Sequence, residues 1–151
     1  MELRDAVALV TGGSEGIGRA IAEALSKQGC RVTVTGRRED PLRKTAEELG
    51  LEWIAGDVGN EEDAVRTVNS VIEKHGRLDI LVNNAGYGIF KPLVDTTLEE
   101  LEGVYRTNVF GTFLMAREAA RHFIERGSGE LINISSTSSL KGSAGRTAYG
   151  S

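Results

Sequence analysis

Residues 6–18 read Ala6-Val7-Ala8-Leu9-Val10-Thr11-Gly12-Gly13-Ser14-Glu15-Gly16-Ile17-Gly18, an apolar run ending in four glycines within seven residues. The run Ala6–Val10 has no polar alternation, as expected for a parallel strand covered on both faces. Beyond the glycines, Ile17, Ala20, Ile21, Ala24 and Leu25 fall at i, i+3, i+4, i+7 and i+8, which is one face of a helix closed by Gly29. A tight strand-to-helix turn needs one or two glycines. Four of them, placed where a helix begins, let backbone N–H groups approach a phosphate at the positive end of the helix. The spacing Gly-x3-Gly-x-Gly lacks the Gly-Lys-Ser/Thr of a P-loop, which disfavours ATP or GTP hydrolysis.

The same alternation continues outward, and strands alternating with helices read as a parallel sheet with crossover helices. Arg31–Thr35 is the second strand, followed by Asp40 as N-cap with Pro41 at the first helical position and Gly50 as the stop. Leu51–Ala55 is the third strand. Asn60 then caps a helix with Glu61, Glu62 and Asp63 in its first turn and Ala64, Val65, Val68, Val71 and Ile72 on its apolar face. Leu78–Val82 is the fourth strand. Thr97-x-x-Glu100 is a capping box opening a long helix, whose apolar face runs through Leu101, Val104, Val109, Phe113, Ala116, Ala120 and Phe123. Gly103 and Gly111 are the positions expected to kink or divide it. Leu131–Ile134 is the fifth strand. With no repeat and no linker, residues 1–151 read as a single domain.

Composition narrows the function. A net charge of −4 argues against nucleic acid or an anionic membrane as partner, and no window approaches the ~20 apolar residues of a membrane span. The charged start Met1–Asp5 does not read as a signal peptide. One cysteine, Cys30, excludes an internal disulfide and suits a cytoplasmic setting. Cys30, His75 and His122 are too scattered to be metal ligands, so no metal is expected.

Three further segments sit where strands end, Gly56-Asp57-Val58, Asn83-Asn84-Ala85-Gly86 and Ile132-Asn133-Ile134-Ser135-Ser136; Asn108 lies within the long helix, and Tyr149 follows Ser136 by thirteen residues. Together with the glycine turn they resemble the short-chain dehydrogenase/reductase family, in particular members similar to 3-oxoacyl-carrier-protein reductases. The resemblance covers the whole chain. It implies a three-layer, Rossmann-type, doubly wound parallel sheet of order 3-2-1-4-5, with nothing of the family fold following the fifth strand except the start of the catalytic motif. It also implies a nicotinamide dinucleotide held by Gly12, Ser14, Glu15, Gly16, Ile17 and Gly18, by Asp57 and Val58, and by Asn84, Ala85 and Gly86.

Each position has a plainer alternative. Asp57 is either a solvated loop acid or, at the carboxyl end of a parallel strand, a ligand to adenine. Asn83 and Asn84 are turn formers that in the family also line the cofactor. Asn108 is a poor helix-interior residue; it is either satisfied in the core or, as the resemblance implies, distorts its helix to position a relay water. Ser136 stands in the polar run Ser135–Ser139, and only its spacing to Tyr149 singles it out. In Thr35-Gly36-Arg37-Arg38, glycine replaces the aspartate of NAD-preferring relatives. Arg37, assisted by Arg38, therefore reads as a clamp for a 2′-phosphate, against the alternative of two solvated arginines. Glu15 opposes this, since a carboxylate repels a phosphate. NADP(H) is preferred, with NAD(H) the alternative.

The chemistry implied is hydride transfer to a small carbonyl substrate, or from a secondary alcohol. Tyr149 is the proton donor or acceptor, Ser136 binds the carbonyl oxygen, and Asn108 holds the relay. The family motif Tyr-x-x-x-Lys places its two residues one helical turn apart. Here Tyr149-Gly150-Ser151 closes the sequence, and the lysine would fall two places further on. Two expectations follow: the chain is the amino-terminal part of a reductase about 250 residues long, homo-oligomeric when complete, and Tyr149 is a frayed terminal side chain. The alternative function is a catalytically incompetent dinucleotide-binding fragment. An S-adenosylmethionine-binding domain would share the glycine turn but leaves Ser136, Tyr149 and Arg37 unexplained.

Overall fold

The computed structural model describes residues 2–151. Five strands alternate with helices: β1 (Val7–Thr11), α1 (Gly16–Lys27), β2 (Arg31–Gly36), α2 (Glu39–Leu49), β3 (Glu52–Ala55), α3 (Glu61–His75) and β4 (Ile80–Asn83). After β4 come α4 (Leu98–Tyr105), a π-helical segment (Arg106–Gly111), α5 (Thr112–Arg126), β5 (Glu130–Asn133) and the short α6 (Thr147–Gly150). All four strand pairs are parallel and the order is β3-β2-β1-β4-β5, as the family resemblance implied. The chain leaves β1 toward β2 and β3, then crosses back to β4 and β5. The switch point therefore lies between β1 and β4, where α/β sheets open a crevice at the carboxyl ends of their strands.

Alternation along β1 builds two cores. Ala6, Ala8 and Val10 face α1 and α2 with Ala22, Leu42, Val32 and Val34, while Val7 and Leu9 face α3 and α5 with Val68, Val71 and Met115. Every one of these β1 side chains is fully buried, which explains the unbroken apolar run. β5 forms the sheet edge, with Leu131, Ile132 and Ile134 partly exposed. Among the described residues no helix is long and apolar enough to cross a membrane.

Helix boundaries follow the sequence closely, with two corrections. Asn60 caps α3 by accepting from the Asp63 N–H, Thr97 and Glu100 form the capping box of α4, and Gly50 ends α2. However, α2 begins at Glu39 with Arg38 in the N-cap position rather than at Pro41 after Asp40. Pro41 is tolerated there because N–H groups in the first turn have no intrahelical partner. The second correction concerns the long helix. It is divided by the π segment Arg106–Gly111, which takes in Gly111 but not Gly103. A π turn spans i→i+5 and so breaks the 3.6-residue seam. Val109 and Phe113, read as part of the apolar face, are 47% and 59% exposed, and burial runs instead through Val104, Thr107, Gly111, Met115 and Ala119.

At the opposite end of the strands, Asp79 (4% exposed) ties β1 to β4. Its carboxylate accepts from the Val7 N–H (2.8 Å), from Arg77 Nε (2.6 Å) and from Arg126 Nη1 (2.9 Å). Burial pushes the carboxyl up, but the Val7 amide, Arg126 and Arg77 outweigh it and hold its pKa below the ordinary aspartate range. A lowered native pKa gives stability that is present above the unfolded value of ~4 and is lost as pH falls through the native value. Asp79→Asn should therefore cost about 3 kcal/mol at pH 7, with the gap to wild type narrowing below pH ~4. Urea unfolding across this pH range measures it, and a gap independent of pH contradicts the assignment.

Candidate functional site

The glycine turn is shaped by close approach rather than by flexibility alone. A Cβ on Gly18 would lie 2.2 Å from the Gly12 carbonyl oxygen and 2.4 Å from Asn84 Nδ2, so α1 meets the turn at a distance only glycine allows. Gly16, with φ +56°, has nothing within 4 Å of an added Cβ, which leaves its outer face open. Gly13 is a packing residue: its Cβ would strike Val34. Glu15 occupies the N-cap position of α1 without capping it through its side chain, so the first amides of that helix receive no carboxylate from it.

The end of β4 is stapled to this turn. Thr11 Oγ1 accepts from the backbone N–H groups of Asn84 (3.0 Å) and Ala85 (2.9 Å). In return Asn84 Nδ2 donates to the carbonyls of Thr11 (3.0 Å) and Gly12 (3.3 Å). Asn83, one residue earlier, is buried and donates to Asn133 Oδ1 across to β5 (3.0 Å). Asn84 thus shapes the turn, and Asn83 ties β4 to β5.

Above β4, Asn108 pairs with the backbone of Tyr87 in both directions: its Nδ2 donates to Tyr87 O (2.9 Å) and its Oδ1 accepts from Tyr87 N–H (3.0 Å). The amide thus makes one donor and one acceptor bond to the same residue, and it sits within the π segment Arg106–Gly111. Thr112 Oγ1 donates to the Asn108 carbonyl (2.8 Å). Asp57 is half-buried; its Oδ1 accepts from the Gly59 N–H (2.9 Å), and Val58 packs against Gly111.

Tyr149 departs from its expectation. It is not frayed. It lies half-buried in α6 next to the buried Ala148, its ring edge-on to Phe90 with centroids 6.0 Å apart at 62°. A Cβ on Gly88 would lie 2.9 Å from that ring, so the segment after Asn83–Gly86 makes room for it. Of the polar run, Ser135, Ser136 and Ser139 line the cleft beside Tyr149, whereas Ser138 is buried. The Ser136 hydroxyl accepts from the Ser138 N–H (3.2 Å), which leaves its own proton free to donate.

All of these segments border one cleft of about 1120 Å³. It is lined by Gly12, Ser14, Glu15 and Ile17, by Arg37 and Arg38, by Asp57 and Val58, and by Asn84, Ala85 and Gly86. Asn108, Ser136 and Tyr149 line it as well. Gly16 and Gly18, also named from the sequence, shape the turn without lining the cleft. Sequence reading did not flag Thr11, Thr112 or Arg146. Thr11 carries no local sign of its role, whereas Arg146 stands one helical turn before Tyr149.

A strand-switch crevice bordered by that glycine turn and by Ser136 and Tyr149 is mirrored in known proteins. The short chain dehydrogenase pattern matches residues 6–151. The chain belongs to the short chain dehydrogenase family. The glucose 1-dehydrogenase of Gluconobacter oxydans is 42% identical over 135 residues, covering 85% of this chain and 51% of that protein. The bovine (Bos taurus) 3-oxoacyl-[acyl-carrier-protein] reductase is 35% identical over 147 residues, covering 96% of this chain and 62% of the other. A solved NAD+-bound xylitol dehydrogenase superposes with a TM-score of 0.91 at 33% identity, covering 99% of this chain and 60% of that one. The chain thus spans about half to three fifths of the length of these relatives. The family's cofactors are nicotinamide dinucleotides.

The charges at the mouth of the cleft are unevenly partnered. Arg38 Nη2 bonds Glu15 Oε1 at 2.5 Å, so the arginine expected to assist Arg37 instead screens the carboxylate that opposed a phosphate. Arg37 has no carboxylate partner among the described residues, and its guanidinium carbon lies 5.9 Å from the centre of the Tyr87 ring.

The two kinds of glycine predict different costs. Gly18→Ala must push apart backbone and the Asn84 amide and should cost about 3 kcal/mol. Gly16→Ala adds a methyl to open space in a left-handed conformation and should cost about 1 kcal/mol. Chemical denaturation of the two variants separates them, and equal costs would refute the close-approach reading.

Proposed function

We propose that the complete protein is an NADP(H)-dependent oxidoreductase that reduces a carbonyl or oxidises a secondary alcohol. The observation that carries this is the single cleft in which the uncapped start of α1, the unpaired Arg37, and the Ser136 and Tyr149 hydroxyls meet. The residues fit the cofactor. The close approach of Gly12 to Gly18 leaves room for a pyrophosphate at the first amides of α1. Asp57 and Val58 would hold the adenine, and Asn84, Ala85 and Gly86, which line the same cleft, would hold the middle of the dinucleotide.

When bound, the nicotinamide supplies or accepts the hydride. Ser136 donates a hydrogen bond to the substrate oxygen, polarising the carbonyl. Tyr149 delivers its phenolic proton to that oxygen in reduction and takes it back in oxidation, so the substrate gains or loses one hydride and one proton. Phe90 and Gly88 hold the Tyr149 ring in place. Asn108 serves by fixing the backbone at Tyr87, and its π turn belongs to the relay that re-protonates the tyrosine. The outer faces of α5 and β5, with Phe113, Ile124 and Leu131 exposed, belong to contacts made by the rest of the polypeptide or by a second subunit.

NADP(H) is the preferred form because a guanidinium without a carboxylate partner suits a 2′-phosphate and a ribose hydroxyl does not need one. Glu15 leaves the preference intact because Arg38 neutralises it. In calorimetric titration NADPH should bind at least about tenfold more tightly than NADH, and Arg37→Asp should abolish or reverse that ratio. An unchanged ratio in the variant would overturn the cofactor assignment.

A further inference from the structure

Three arginines line the cleft, and their partners differ. Arg38 is held by Glu15. Arg37 stands at the glycine-turn end, where the 2′-phosphate reading uses it. Arg146 lies at the other end, beside Ser136 and Tyr149, and the dinucleotide reading gives it nothing to do. Among the described residues no carboxylate forms an ion pair with it. The other charged residues lining the cleft are Glu15, Arg37, Arg38 and Asp57, all from the turns after β1, β2 and β3. Among the described residues the reacting end therefore carries one charge, and it is positive.

Two contacts hold Arg146 in place. Its Nη1 donates to Ser138 Oγ at 3.0 Å, and its guanidinium carbon lies 5.3 Å from the centre of the Phe90 ring. The same ring is in an edge-type arrangement with that of Tyr149. Phe90 thus stands between the cation and the phenol that flank the substrate space. One N–H goes to Ser138, so most of the guanidinium's five donors stay available. Stacking on an aromatic ring limits the side chain's freedom and leaves the planar fork prepared for a bidentate anion.

We propose that Arg146 is a specificity-determining residue that recognises a carboxylate on the substrate. The substrate class is then an oxo acid on the reduction side and a hydroxy acid on the oxidation side, its carbonyl or hydroxyl carbon directed to Ser136 and Tyr149 and its carboxylate to Arg146. This rests on the oxidoreductase reading above and narrows it. A neutral sugar or a simple ketone leaves Arg146 unpartnered and is the poorer ligand.

The test is made on the chain first saturated with NADP+, which is to occupy Arg37, removes it as a competing anion site and has no hydride to give to an oxo acid. Isotope-labelled protein is titrated with 2-oxobutanoate, 3-oxobutanoate and 4-oxopentanoate, and in parallel with their methyl esters, which keep the carbonyl and lose the charge. At least one acid should bind about tenfold more tightly than its ester, with the shifts centred on Phe90, Arg146 and Tyr149. That preference should weaken with added salt, disappear in Arg146→Gln and persist in Arg146→Lys, while NADP+ affinity stays unchanged in both variants. Equal binding of acids and esters, or an acid preference that survives Arg146→Gln, overturns the proposal and leaves the oxidoreductase reading standing. Failure of wild-type protein to bind NADP+ at all overturns that reading, and this one with it.

Discussion

Four hydrogen bonds from Asn84 and Ala85, three to Thr11 and one to the Gly12 carbonyl, hold the carboxyl ends of β1 and β4 together, and everything functional is arranged around them. Thr11 is buried, so these bonds form away from water, where an unpaired amide or hydroxyl costs most. They fix the Gly12 carbonyl under the first turn of α1, and that carbonyl is what the missing side chain of Gly18 makes room for. Loss of the staple would release both the loop that follows β4 and the start of α1. The crevice at the strand switch is thus a product of local hydrogen bonding as much as of topology.

A second constraint builds the reacting end. The π segment turns Asn108 toward the strand, and its side chain holds the backbone of Tyr87 in both directions. That hold sets the path of the segment from Tyr87 to Phe90, where Gly88 and Phe90 receive the Tyr149 ring. Asn108 of the π segment and the residue proposed to move a proton are therefore linked through one backbone stretch. Exposure of Val109 and Phe113 is the other consequence of the π turn, which redirects them away from the core.

How far the sequence reveals this depends on the range of the interactions. Local rules suffice for the strands, for Asn60 and the Thr97–Glu100 capping box, and for Gly50, because each concerns neighbours within one turn. The glycine turn is legible for the same reason, although its residues divide between backbone shape, close packing and cleft lining in a way that only the three-dimensional contacts reveal. The seam through Val109 and Phe113 misleads, since periodicity assumes 3.6 residues per turn and the π segment breaks that count. The pairing of Arg38 with Glu15, 23 residues apart, and the packing of Tyr149 on Gly88 are long-range contacts that no local pattern encodes. The role of Thr11 is hidden in the same way, because its partners lie 73 and 74 residues away. The likeness to the family supplies the identity of Ser136 among five consecutive hydroxyl residues, which composition alone leaves undecided.

The central claim is that the stapled turn between Thr11 and Gly18 receives a pyrophosphate. The most direct measurement follows the backbone amide resonances of Gly12 to Gly18 and the Asn84 side-chain amide in isotope-labelled, demonstrably folded protein during titration with NADPH. Shifts concentrated at Ser14, Gly16, Ile17 and Gly18, with the Asn84 amide still bonded to the turn, are the result this account predicts. Resonances that stay fixed at millimolar dinucleotide, or that move only at residues remote from the turn, would contradict it.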